Sequence, residues 1–301
     1  MIFRFNEIGR QEERVFLITG ANSGLGFETS KFLLEKGATV VMCSRDLVKG
    51  EKAKEDLLKL NLPGNIELFE LDLSDLTKIR NFTQSFKNKF NSLDVLINNA
   101  GIMAPPKTLT KQSFEIQFGV NHLAHMLLTL ELLPMLNEKT NSRVVTVTSG
   151  VQYFGKIQWE DLQGQIKYDR WASYAQSKLA NVMFGLELNS KLKKNNSKTS
   201  SLLAHPGLAR TNLQPKSVEA NQSWQEELAY KLMDPMFQSA KMGALPQIAA
   251  ATLPSAKGGD QYGPRFNFRG LPKTCRNAPK ALNKNSRKRL WDISETLIKG
   301  I

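Results

Sequence analysis

Residues 14–37, RVFLITGANSGLGFETSKFLLEKG, constrain the fold of this chain more than any other stretch. Arg14 to Gly20 is a β-branched and apolar run ending in glycine, the pattern of a strand buried on both faces. It opens into Gly20, Gly24 and Gly26, spaced G-x-x-x-G-x-G, and then into helical periodicity through Phe27, Phe32 and Leu33, with Gly37 placed to end the helix. A turn of this kind brings backbone close to a pyrophosphate, because no side chain stands between them. The helix N-terminus then offers free N–H groups and the positive end of its dipole. Gly20, Asn22, Ser23, Gly24, Leu25 and Gly26 are therefore the candidate phosphate-binding loop.

The alternation of strand and helix continues along the chain. Ala38–Cys43, Asn65–Leu71, Leu93–Ile97, Arg143–Thr148 and Thr199–His205 have the look of further buried strands, and Gln261–Gly263 of a brief last one. The expectation is an α/β chain, a doubly wound parallel sheet of about seven strands forming one domain over residues 1–301. No internal repeat or Pro/Gly/Ser-rich linker divides it.

Ligands of such sheets collect beyond the carboxyl ends of the strands, so the residues there are the candidates for binding. The second strand ends at Cys43-Ser44 and is followed by Arg45 and Asp46. An acid at the strand end would bond a ribose 2′-hydroxyl, whereas an arginine just beyond it suits a 2′-phosphate. Arg45 thus points to NADP(H), with Asp46 as the cap of the next helix. Asp72 and Leu73 follow the third strand at the place of the adenine, although capping by Ser74 or Asp75 explains much of that stretch. Asn99, Ala100 and Gly101 follow the fourth, small and amide residues that let backbone approach a cofactor. Pro206 and Gly207 form a turn after the sixth, and Thr211 is placed to hold a carboxamide.

Tyr174 and Lys178 lie in a run from Trp171 to Leu192 that is expected to be helical. Four residues apart, they share a helix face one turn from each other, so the ammonium can favour the ionised phenol. A free phenol titrates at about 10, and work near neutrality needs a shift of roughly three units, about 4 kcal/mol. Ser149 stands at the end of the fifth strand. Asn121 lies inside a helix expected over Phe114–Leu136, where asparagine is a poor helix former.

The net charge of +13 is uneven: residues 1–150 hold 18 Lys/Arg against 17 Asp/Glu, and residues 151–301 hold 23 against 11. From Arg265 onward there are ten basic residues and two acidic ones, with Arg287, Lys288 and Arg289 expected on an exposed helix. This segment, 265–301, suits an anionic membrane surface, solvated charge being the commoner reading; no nucleic-acid partner is expected. Charges in the first fifteen residues and the lack of an 18-residue uncharged apolar run lead to the expectation of a cytoplasmic protein. Cys43 and Cys275 have no metal-binding spacing, and no metal is expected.

Taken together, TGANSGLG, NNAG, Asn121, Ser149, YAQSK and the Pro206-Gly207 turn resemble the short-chain dehydrogenase/reductase family in its classical form, from about Arg14 onward. The resemblance implies a Rossmann fold, NADP(H) and a tetrad at Asn121, Ser149, Tyr174 and Lys178. In it, Tyr174 exchanges a proton with the substrate oxygen. Lys178 lowers the phenol's pKa and bonds the nicotinamide ribose. Ser149 holds the substrate oxygen, and Asn121 anchors a relay water. The 24 residues between Ser149 and Tyr174, the Ser44-Arg45-Asp46 sequence and the AHPG at Ala204–Gly207 resemble the branch of retinol dehydrogenases and light-dependent protochlorophyllide reductases. The implied reaction is hydride transfer between nicotinamide and a carbonyl or alcohol of a small, partly apolar substrate. Reduction of a pigment double bond and a non-catalytic dinucleotide sensor or membrane-surface protein are the alternatives. A homo-oligomer packed through the helices of Asn121 and Tyr174 is the family's usual assembly. Segment 212–240, with Trp224, Leu228 and Leu232 at helical spacing, is either a substrate lid or plain packing.

Overall fold

The computed structural model describes residues 8–210 and 213–300. Its strands are β1 Val15–Thr19, β2 Thr39–Ser44, β3 Asn65–Glu70, β4 Val95–Asn98, β5 Arg143–Val147, β6 Ser200–Ala204, β7 Gln261–Pro264 and β8 Pro272–Cys275. They form one sheet in the order β3-β2-β1-β4-β5-β6-β7-β8. The first seven are parallel to their neighbours, with β1 registered between β2 (Leu17 opposite Val41) and β4 (Leu17 opposite Leu96). Strand order reverses on either side of β1, which opens a crevice at the carboxyl ends of β1 and β4.

The eighth strand is a difference from the expected sheet of about seven. It pairs antiparallel with β7, and its sequence PKTC hides it: a four-residue edge strand that begins with proline and exposes Lys273 and Thr274 carries no apolar alternation.

The helices are α1 Gly24–Glu35, α2 Leu47–Leu58, α3 Leu76–Lys89, α4 Ile116–Phe118, α5 Ala124–Asn137, α6 Arg170–Lys194, α7 Leu213–Asn221, α8 Trp224–Met233, α9 Ala240–Thr252 and α10 Lys284–Lys299. Alternating strand residues feed two cores. Phe16 and Ile18 of β1 pack with Leu33, Leu57 and Ile248 from α1, α2 and α9. Leu17 faces the other way, into Phe86, Leu132, Leu179 and Leu290 from α3, α5, α6 and α10. Asp46, Asp75 and Asp169 cap α2, α3 and α6 by accepting from the N–H groups of Lys49, Thr77 and Ala172.

Two elements depart from expectation, and a third, α8, speaks against plain packing as the reading of segment 212–240. The helix over Phe114–Leu136 is interrupted, because a π-helical segment, Gly119–Leu123, joins α4 to α5 with Asn121 at its centre. Such bulges insert a residue into the helix and recur at functional sites. In α10, Arg287 is not exposed: at 8% accessibility it pairs with Glu187 at 3.3 Å and donates to the carbonyls of Ala281 and Leu282. Its neighbours Lys288 and Arg289 do reach the surface, beside Asp292 and over the Trp159 ring. In α8 no residue is buried, and Trp224 and Leu232 are 69% and 74% exposed, so the helical spacing there does not mark a core face. Among the described residues, no helix is long and apolar enough to cross a membrane, and no group of His, Cys, Asp and Glu is arranged to hold a metal ion.

Candidate active site

The glycine turn passes so close to itself that a Cβ on Gly26 would lie 2.3 Å from the carbonyl oxygen of Gly20. Only glycine fits there, and Gly20 itself has φ +65°. Ser23 stands at the N-cap of α1 without bonding the helix through its side chain, which leaves the first N–H groups of the helix without a side-chain cap. Beyond the ends of β1 to β4 lies a cleft of about 220 Å³. Of the expected binding residues it brings together Gly20, Asn22, Arg45, Asp72, Leu73, Ala100 and Gly101. Thr19, Ser44, Lys49, Ile102, Ile116 and Val120 also line it and were not anticipated. Lys49 is one lysine among several in a surface helix, and Ile116 and Val120 arrive from distant sequence, so only the fold could single them out.

Arg45 sits exposed at this cleft, and no acidic partner is found for it among the described residues. Asp46 is committed elsewhere: one carboxylate oxygen accepts from Lys49 N at 3.1 Å and the other pairs with Lys49 Nζ at 3.1 Å. Asp72 Oδ1 accepts from the amide and the hydroxyl of Ser74, at 2.9 and 2.6 Å, in a local turn. Asn99 is turned inward. Its Nδ2 donates to Thr19 O at 2.8 Å and its Oδ1 accepts from Gln247 at 3.2 Å, so its side chain braces the turn beneath the cleft.

Tyr174 and Lys178 are both buried on α6, with the ammonium 5.8 Å from the centre of the phenol ring. Ser149 lies close enough to the Tyr174 hydroxyl to act on its ionisation, and it caps the short 3-10 helix Gly150–Tyr153. Burial pushes Tyr174 up to about 12, with Ser149 pulling the other way and nearby Tyr230 of α8 adding to the rise. Burial pushes Lys178 down to about 8. The phenol is therefore raised, not lowered as the spacing alone suggests, since desolvation by burial is the largest influence on it.

Asn121 completes the group. Its Oδ1 accepts from Ile102 N at 2.9 Å, and its Nδ2 donates to Ile102 O at 3.0 Å and Ser177 Oγ at 2.9 Å. Asn121 Oδ1 and Lys178 Nζ each lie 3.2 Å from the point where a Cβ on Gly101 would stand. Pro206 and Gly207 are held by a bond from Gln238 to Pro206 O at 2.7 Å, and Pro206 and Leu25 both abut Gly243 of α9. That contact sets the turn after β6 against the start of α1. Thr211 lies outside the described residues.

A doubly wound sheet with a glycine turn at its crevice, and with buried Tyr174, Lys178 and Asn121 and half-buried Ser149 beside it, defines an oxidoreductase of the dinucleotide-binding α/β class. More narrowly, the chain belongs to the short-chain dehydrogenase family, whose sequence pattern matches residues 14–222, and its reaction class is oxidation and reduction at alcohol and carbonyl groups. It falls in the retinol dehydrogenase-like branch. Retinol dehydrogenase 12 of Homo sapiens is 36% identical over 285 residues, covering 95% of this chain and 86% of that protein. Retinol dehydrogenase 14 of Mus musculus is 37% identical over 304 residues, covering 96% and 87%. The crystal structure of an uncharacterised protein from Mycobacterium paratuberculosis superposes with a TM-score of 0.82 at 38% identity, covering 99% of this chain and 98% of that one. The NADP complex of Pseudomonas aeruginosa RhlG, 22% identical with a TM-score of 0.65 over 84% and 94% of the two chains, shares the fold.

Proposed function

We propose that this protein is an NADP(H)-dependent oxidoreductase that reduces the carbonyl of a partly apolar substrate, using Tyr174, Lys178, Ser149 and Asn121. The observation that carries the reading is the buried Tyr174 on the same helix as the buried Lys178, whose ammonium lies 5.8 Å from the centre of the phenol ring, with Ser149 close enough to act on the phenol's ionisation. The residues fit the cofactor. Gly26 leaves a space that any Cβ would fill, the start of α1 offers N–H groups to a pyrophosphate, and Arg45 is a guanidinium with no ion-pair partner among the described residues. Asp72 and Leu73 flank the place of the adenine, Ala100 and Gly101 that of the nearer ribose, and Pro206 and Gly207 that of the nicotinamide.

When bound, NADP(H) supplies the hydride and, in its oxidised form, a positive ring charge. Tyr174 Oη–H and Ser149 Oγ–H both donate to the substrate oxygen, and the phenol gives up its proton as negative charge gathers there. Lys178, still mostly a cation at neutral pH, stabilises the phenolate that forms. Burial of both side chains keeps bulk water from the exchange. Tyr230 of α8 is near enough to Tyr174 to act on its ionisation, which supports α8 as part of a cover over the substrate. The names of the relatives, retinol dehydrogenases, support an apolar alcohol or aldehyde as substrate.

The experiment is NADPH and NADH oxidation by the purified protein across a panel of aldehydes and ketones that includes retinaldehyde. Binding of NADPH without oxidation by any carbonyl would discard the catalytic reading, and a preference for NADH would discard the cofactor assignment.

A further inference from the structure

Five hydrogen bonds join the catalytic asparagine to the end of β1 by a route that the reaction does not use. Thr19 Oγ1 accepts from the N–H groups of Asn99 and Ala100, at 3.0 and 2.9 Å. A hydroxyl has two acceptor positions and one proton, so with both positions taken its proton goes to the remaining neighbour, His125 Nε2, at 3.0 Å. An accepting Nε2 leaves the ring proton on Nδ1, which lies 3.1 Å from the backbone oxygen of Asn121 and donates to it. Asn121 then returns to the same turn through Ile102 N at 2.9 Å. The circuit closes around Asn99–Ile102, and within that stretch Gly101 has Asn121 Oδ1 and the Lys178 amine as neighbours, each 3.2 Å from where its Cβ would stand. Thr19, Asn121 and His125 are each at most 1% exposed, so water does not compete for these bonds.

We propose that His125 is a positioning residue: by bonding Thr19 on one side and the Asn121 carbonyl on the other, it fixes the π-helical segment against the end of β1 and so sets the Lys178 amine beneath Tyr174. The π-helical register explains why a side chain is needed here. The bulge Gly119–Leu123 departs from the regular hydrogen-bond ladder, and His125, one turn beyond Asn121, reaches back to hold its carbonyl. His122, one residue past Asn121, takes no part; it bonds Ser294 of α10 at 2.9 Å.

The inference rests on the reading that Asn121 and Lys178 serve catalysis, and its test has one arm that needs no turnover. With only three histidines in the chain, ¹⁵N-histidine labelling resolves each ring, and the resonance absent from His125→Asn identifies His125. The expected spectrum shows a neutral Nδ1–H ring throughout the neutral range. An Nε2–H tautomer or a protonated ring would overturn the proposal even if the protein proved inactive. The second arm compares His125→Leu with His125→Asn, whose amide can still donate to the Asn121 carbonyl. Displacing a catalytic group by a fraction of an ångström lowers turnover by about 10- to 100-fold. That loss is expected in kcat for His125→Leu, with KM for the carbonyl substrate and NADPH affinity within about threefold of the original, and with most of it recovered in His125→Asn. A folded leucine variant with undiminished kcat, or an asparagine variant as impaired as leucine at equal Tm, would show that His125 only fills space. Should the leucine variant fail to fold, the asparagine variant and the tautomer decide.

Discussion

Arg45→Ala separates the two cofactors by a magnitude that the structure bounds. A charge-assisted contact to a 2′-phosphate contributes about 1.5–3 kcal/mol, and Arg45 lies exposed at the cleft mouth, where solvent and salt screen it. The lower end applies, about 1.5 kcal/mol, which is about tenfold in dissociation constant. Lys49 is the second cation at this mouth, but Asp46 holds it at 3.1 Å, so it does not replace the guanidinium. NADH presents a neutral diol at the same point and uses the same glycine turn, so its affinity is expected to stay within about twofold. The assay is fluorescence titration of both cofactors against both proteins at low and high salt, and the NADPH difference is expected to shrink as salt rises. Equal loss of both cofactors, a preference of the original protein for NADH, or a salt-independent effect would each refute the assignment of Arg45 to the phosphate.

Three further outcomes follow from the buried groups. Tyr174→Phe removes the proposed proton donor while keeping the ring; kcat is expected to fall by about 10²–10⁴-fold with NADPH affinity retained, as read by steady-state kinetics and titration. Lys178→Met should abolish turnover yet stabilise the fold. The Lys178 pKa is lowered to about 8 by burial, so the folded state binds fewer protons than the unfolded one; its cost is complete below pH 8 and is relieved as pH rises toward the ordinary lysine range. A shift of this size corresponds to about 3 kcal/mol, and denaturant melts at neutral pH should show a gain of about 1–3 kcal/mol that fades in alkali. Arg287→Gln leaves Glu187 and two carbonyls unpaired in a buried site and should cost about 3 kcal/mol, whereas Lys288→Gln should cost under about 0.5 kcal/mol; equal melting temperatures for the two would refute the distinction.

The glycine turn, the first seven strands, the Tyr174 and Lys178 pair and the place of Ser149 were legible because each depends on local spacing or on a strand end, whereas Asn121 was singled out by the family resemblance. Glycine at Gly26 is dictated by a contact six residues away, and the strands are continuous apolar runs. The features that were not legible depend on long-range packing. Lys49 and Thr19 look like any surface lysine and strand threonine until the sheet places them at the cleft. Arg287 sits in a basic run, and its inward turn follows from Glu187 on α6, one hundred residues earlier. The π-helical segment leaves only a weak trace, a polar residue within an apolar helix, because the bonds that hold it reach to Ile102 and Thr19.

The proton state of the site shows most plainly what spacing cannot decide. An interval of four residues guarantees that Lys178 lies near Tyr174, but the free energy of each ionisation depends on how much water burial removes. With the phenol pushed up to about 12 and the ammonium down to about 8, Tyr174 is fully protonated at neutral pH and Lys178 largely so. A protonated phenol is the form that donates to a carbonyl oxygen, so these residues alone are set for reduction. Acting as a base toward an alcohol would require an ionised phenol, and the roughly two units by which burial raises it would add about 3 kcal/mol to that step. The protein's own charges do not offset this cost. On the burial of these two side chains alone, the resting form of the site is the one that donates a proton.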